Sequence, residues 1–142
     1  MAIIQTITTS FKVEVAQALH NFTTGTGNVF KLALYTANAD LGASTTAYTT
    51  SGEVSGTNYS AGGIILTNIT PSFQGTTSYW SFQNATFSNV TLTTNGALIY
   101  NSTNGNRSVA VLNFGVNITK TAQDLVITFP VNDATNAVLR IA

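Results

Sequence analysis

Side chains able to do chemistry are scarce in this sequence. Its 142 residues hold one histidine, His20, five acids, five basic residues and no cysteine. The acids are Glu14, Asp40, Glu53, Asp124 and Asp133, and none has a second acid near it in the chain. Hydrolysis by paired carboxylates requires two acids converging on one cleft, which this spacing does not suggest. A serine nucleophile requires a histidine oriented by an acid, and His20 has neither beside it in the local sequence. His20 is read instead as a structural residue in the last turn of a short helix, where a partial positive charge complements the helix dipole. Glycine-rich phosphate loops, Walker patterns and H-E-x-x-H are missing from the sequence. Asp40 and Asn132-Asp133 offer oxygen ligands, but not the spaced acids of a high-affinity calcium loop. Without cysteine there are neither disulfides nor thiolate metal sites. The expectation is no enzyme, no cofactor and no metal, with function residing in what the folded chain touches.

Composition points the same way. Charged residues make up 7% of the chain, against roughly 25% in an ordinary globular domain. Acids and bases cancel, and near-zero net charge favours association. Threonine, serine, asparagine and glycine take the surface places that lysine and glutamate normally fill, which suits a protein held within an assembly. Nucleic acid is excluded as a partner, because backbone binding needs clustered Lys and Arg to displace counterions. Met1 to Ile7 has neither the cationic start nor the apolar run of a signal peptide, and no segment is long enough to span a bilayer. The expectation is a soluble protein made in the cytoplasm, with no membrane partner.

The clearest element is a hairpin over 96–115, where Asn104-Gly105 supplies the positive φ angles of a tight turn. In its second arm Val109 and Val111 fall on one face, and Ala110, Leu112 and Phe114 on the other. A strand apolar on both faces belongs between two layers. Residues 1–9 read as an arm that pairs with a sheet edge or waits for a partner. Residues 10–142 form a single domain. Ser10 looks like the N-cap of its one helix, with Phe11, Val15, Ala18, Leu19 and Phe22 along the apolar face. Phe30 to Thr36 follows as a strand, with Phe30, Leu32 and Leu34 facing the core.

From 37 to 63 the pattern vanishes into a long excursion, and such segments are usually functional or mobile. Ile64 to Leu66 resumes strand character before a turn region at Pro71 and Gly75. Ser78 to Thr94 is a long β stretch whose phase slips near Gln83-Asn84 and Ser88-Asn89, where bulges or short turns are expected. Tyr79, Trp80, Phe82 and Phe87 read as core in preference to a stacking platform for sugars or bases, given the absence of basic companions. Leu125 to Phe129, closed by Pro130, and Ala137 to Ala142 complete the set, the last paired into a sheet. About seven strands and one helix predict an all-β fold, an antiparallel β-sandwich of jelly-roll or related Greek-key form.

Two blocks carry a resemblance. The first is Phe30-Lys31-Leu32-Ala33-Leu34-Tyr35-Thr36 with Leu41-Gly42, Thr45-Thr46-Ala47-Tyr48, Glu53-Val54-Ser55-Gly56 and Ala61-Gly62-Gly63. The second is Gly96 to Asn101 with Asn106 to Leu112 and Phe114-Gly115, and Ser10-Phe11-Lys12 matches the usual start. Together they resemble a family of small virion structural proteins of tailed bacteriophages.

The resemblance implies a capsid decoration or cement protein, a homotrimer on the phage major capsid protein at the virion surface. A neck, tail or fibre-associated protein is the alternative, and a carbohydrate-binding module using Trp80 a more distant one. The candidate assembly contacts are Ile3, Ile4 and Ile7 in the arm and Leu41, Tyr48 and Tyr59 in the excursion. Substituting Val111 or Phe114 is expected to cost folding. Trimming 2–9 or 42–58 is expected to leave a folded protein that fails to assemble.

Overall fold

The turn at Asn104-Gly105 joins two strands far longer than their local pattern suggests. The computed structural model describes residues 2–142. Its elements are β1 (Thr6–Ile7), α1 (Thr9–Ala16), β2 (Phe30–Tyr35), β3 (Ile64–Ile65), β4 (Asn68–Gln74), β5 (Thr77–Phe82), β6 (Ala85–Asn101), β7 (Arg107–Ile127) and β8 (Leu139–Ile141). They form a five-stranded sheet in the order β1-β7-β6-β2-β3 and a three-stranded sheet in the order β4-β5-β8. Every pairing between these strands is antiparallel. The fold is all-β with one short helix.

The two sheets share one core. Trp80, Phe82 and Leu139 of the small sheet meet Phe30, Leu32, Leu34, Ala97, Ile99 and Val109 of the large one. Phe22 anchors the junction, stacked on Phe30 at 4.2 Å between ring centroids and 5.5 Å from Trp80. The large sheet is also apolar on its other face. There Ala33, Tyr35, Leu98, Tyr100 and Val111 pack with Ile3, Ala39 and Leu41, so the arm and the excursion cover that face as a third layer. This double burial is what an apolar run on both parities requires.

The local details differ from the sequence reading in five places. The helix ends at Ala16, short of Phe22, and Ala18 lies just beyond it in the left-handed region at φ 59°. Phe22 is buried by the connection after the helix. The N-cap is Thr8, and no side chain caps the helix, because the Thr8 hydroxyl is engaged by Ser108 Oγ at 2.9 Å. Pro71 lies inside β4, where an edge strand and a register shift between Ile69 and Ser72 tolerate its missing donor. Leu125 to Ile127 is the far end of β7 and pairs with β6, so no separate strand forms there. Val109 joins Ala110 in the shared core while Val111 faces the other layer, because the register shifts between Ile99 and Tyr100.

The phase slips are where the sequence put them. Gln83-Asn84 is the connection between β5 and β6, and Asn89, at φ 50°, sits in a register shift between Phe87 and Val90. In the hairpin turn the positive φ angles fall on Gly105 (66°) and Asn106 (57°), one position later than the Asn104-Gly105 pair implies.

Phe82 lies between both sheets, beside Phe22, Phe30 and Phe129. Phe82→Ala should cost about 3–5 kcal/mol, the usual range for a buried aromatic. Phe114 is only half-buried, so Phe114→Ala should cost less than half as much. Urea denaturation midpoints of the two variants measure the difference.

Candidate functional site

The excursion is held by one carboxylate. Glu53 accepts hydrogen bonds from the hydroxyls of Tyr48 and Tyr59, each at 2.6 Å, and from the Gly62 N–H at 2.8 Å. The Tyr59 oxygen in turn accepts the Leu34 N–H of β2 at 2.9 Å. The backbone around Glu53 runs along β2, with Val54 N–H donating to Leu34 O and Thr36 N–H to Gly52 O. Residues 46–48 run along the start of β7, through Ser108 N–H to Thr46 O and Tyr48 N–H to Asn106 O. The segment rejoins β2 at Gly63, where any Cβ would collide with the Leu32 carbonyl at 1.8 Å, so only glycine fits.

The ring of phenols around Glu53 shows the electrostatic cost of the arrangement. Burial pushes Tyr59, Tyr48 and Tyr35 well above the ordinary phenol range, with the Glu53 charge adding to the effect. Tyr100 is pushed up to about 12 for the same two reasons, burial first. All four are therefore hydrogen-bond donors at any physiological pH. Tyr35 donates to Thr49 O at 2.6 Å and Tyr100 to Gly62 O at 2.7 Å.

The same excursion clasps the arm. Ile3 forms a parallel bridge with Leu41, and the Ile4 N–H donates to Leu41 O while the Leu41 N–H donates to Ala2 O. Of the candidate contacts, Ile3 and Leu41 are thus buried within the chain. Tyr48 stacks on Tyr100, and Tyr59 on Phe87, with both hydroxyls turned to Glu53. Ile7 is half-buried in β1, and Ile4 is 62% exposed. Ile4 borders a groove of about 640 Å³ walled by Asp40 to Thr49, in which Asp40 is the only charged residue. The arm and the excursion, two separate contact candidates in the sequence, make one surface.

That union corrects the expectation that trimming would be harmless to folding. Removing 2–9 takes away β1 and Ile3, and removing 42–58 takes away Glu53 and buried Val54. Both deletions thin the third layer, in which Ile3 and Tyr48 cover the face of the large sheet turned away from the small one.

A second polar cluster ties α1 to the hairpin turn. Glu14, a buried residue of α1, accepts Arg107 Nη1 at 2.9 Å and His20 Nε2 at 3.0 Å. Asn101 Nδ2 donates to His20 Nδ1 at 3.1 Å, which leaves His20 neutral with its proton on Nε2, facing Glu14. His20 therefore does have an acid beside it, six residues upstream, and it lies beyond the helix, not in its last turn. Burial lowers its pKa despite the opposing pull of Glu14. The imidazole is fully covered and both nitrogens are occupied, the arrangement of a fastener between α1, the connection and the turn.

Sequence reasoning missed both roles of glutamate. The one available signal was scarcity, since an acid kept in a chain with so few charges is worth a structural question. Trp80, Phe82 and Phe87 are buried, and the sugar-platform reading has no exposed tryptophan to use. Among the described residues no group of three or more His, Cys, Asp or Glu side chains is placed to hold a metal, and no helix is long and apolar enough to cross a membrane. The chain matches no protein-family model, no curated protein and no solved structure.

Glu53→Gln should cost about 1–3 kcal/mol, because an amide puts a donor where the carboxylate accepted one. Protease cleavage of the folded variant should then concentrate in 37–63. Tyr59→Phe should destabilise more than Tyr48→Phe, since only the former strands a buried backbone N–H, that of Leu34. Thermal melts of the three variants, with mass mapping of the cleavage sites, test both statements.

His20 gives a pH prediction with a definite sign. The unfolded chain protonates the imidazole near 6.5, and the folded chain only at lower pH. Between the two the unfolded state binds more protons, so this contribution is complete above about 6.5 and is lost as pH falls below it. The melting temperature should fall on acidification from neutral pH, and His20→Gln should flatten that slope.

Proposed function

We propose that this chain is a structural component of a tailed-phage virion, a head decoration or cement protein bound to the major capsid protein as a homotrimer. The observation that carries the reading is the single surface made by arm and excursion. Ile4 is held out into solvent beside a groove lined with hydroxyls and backbone and bearing one charge. The surface is rigid because Glu53 and the Ile3–Leu41 bridge fix it before any partner arrives. A preorganised patch loses little entropy on docking.

The low charge of the chain supports the same reading, since few ions need be desolvated when the surface is covered. Ile65 and Phe73 stand exposed on the edge strands β3 and β4, and Val116 and Val126 on β7. Buried apolar area contributes about 25 cal/mol per Å² removed from water, and attachment at several points around a shell turns modest affinities into stable retention. The resemblance of the 30–63 and 96–115 blocks to phage virion proteins supplies the identity of the shell.

Purified particles provide the test. The protein should be present at a copy number comparable with that of the major capsid protein, and a cryo-EM reconstruction should place the Ile4 groove against the shell. Ile4→Asp, an exposed substitution, should leave the melting temperature unchanged and strip the protein from particles. A few copies arranged in rings would place it in the neck or tail instead, and absence from purified virions would overturn the reading.

A further inference from the structure

The two sheets leave an edge open on the same side. β1 is the outer strand of the large sheet and β8 the outer strand of the small one. Between them and α1 lies an apolar cleft of about 260 Å³, lined by Ile7 of β1, Phe11, Lys12 and Val15 of α1, Trp80 of β5 and all three residues of β8. Side chains alternate across a strand, so a cleft bordered by Leu139, Arg140 and Ile141 together runs along the unpaired backbone edge of β8. An edge of this kind is a row of free N–H and C=O groups. Ile141 beside it is half-exposed to water, although it pairs with Ser78 through the other edge.

The charged residues that line the cleft have one sign, and an opposite charge, Asp133, acts on Arg140 from the turn before β8. Lys12 and Arg140 are its only ionisable lining residues, and among the described residues neither is in an ion pair. The indole N–H of Trp80 in its wall has no acceptor among the described residues. We infer that this cleft receives an extended, acidic strand of a protein partner, which adds to the free edge of β8. One apolar side chain of the strand enters between Phe11 and Leu139, and an acidic residue meets Lys12 and Arg140. Main-chain bonds to an edge supply affinity in this mode, while pockets and charges beside the edge supply selectivity.

The inference rests on the assembly role proposed above, and it uses a different face from the Ile4 groove. Its test is a titration of the isotope-labelled protein, followed by amide NMR, with a short acetylated peptide of alternating valine and threonine that ends in paired aspartates. A peptide ending in paired lysines is the comparison. Shifts should concentrate at Ile7, Phe11 and 139–141, and the lysine peptide should bind about five- to tenfold more weakly, the size expected of two rim charges.

The double variant Lys12→Glu and Arg140→Glu should reverse the preference. Lys12→Glu alone repeats the test without disturbing the bond from Arg140 to the Thr135 carbonyl. Equal binding of the two peptides, shifts confined to other surfaces, or a cleft that takes dodecanoate and neither peptide would overturn the inference. Particles that retain the charge-reversed protein at full occupancy would overturn it too, leaving the decoration role standing. Selective peptide binding by a protein absent from virions would instead remove the decoration role.

Discussion

The central strands of this protein are apolar on both faces, and most of the structure follows from the need to cover both. β2, β6 and the first half of β7 present Phe30, Leu34 and Ile99 to one side and Tyr35, Leu98 and Val111 to the other. A single sheet-on-sheet contact covers only one side. The small sheet takes that role, and the second face is left to segments with no regular structure of their own. Backbone without a ladder must find other partners for its polar groups. The excursion finds them in β2, in β7 and in one carboxylate, which is why a stretch with no periodicity is nevertheless fixed.

Four of the five acids are spent inside the chain. Glu14 joins α1 to the turn, and Glu53 gathers the excursion. Asp124 accepts the Asn89 N–H at the bulge of β6, and Asp133 accepts the N–H groups of Thr135 and Asn136 in the turn before β8. Only Asp40 has no hydrogen bond or ion pair among the described residues, and it lies in the groove beside Ile4. Asp124 and Asp133 accept their bonds at the surface, and Glu14 in the interior. Two of these acids are conditional on the tertiary fold, since Glu14 meets Arg107 and Asp124 meets Asn89 across long stretches of chain, whereas Glu53 and Asp133 find their donors within ten residues.

The legible parts of the sequence are those governed by short-range periodicity. Phe30, Leu32 and Leu34 repeat every second residue, and they face the core as that repeat requires. The slip at Ser88-Asn89 was visible because a bulge must shift the parity of everything after it. The excursion was illegible for the opposite reason: Ile3 meets Leu41, Tyr48 meets Tyr100 and Glu53 meets Tyr59, and none of these meetings leaves a periodic trace. The helix was overextended because Leu19 and Phe22 continue a helical spacing by coincidence, while the chain turns at Ala18 to return His20 to Glu14. Pro71 misled in a similar way, as a breaker that an edge strand can absorb.

The pairing of the arm with β7 bears on how the molecule assembles itself. The Thr8 hydroxyl and its partner on Ser108 are one hundred residues apart. Closing so long a loop is entropically slow compared with zipping β6 onto β7 through the adjacent turn. The hairpin can therefore form early, while β1 must wait for β7, chain that arrives about one hundred residues later. During synthesis the first residues made are among the last to be seated. Until then the outer face of the central strands lies open, so the interval between hairpin closure and arm docking is the period in which this chain is most exposed to aggregation.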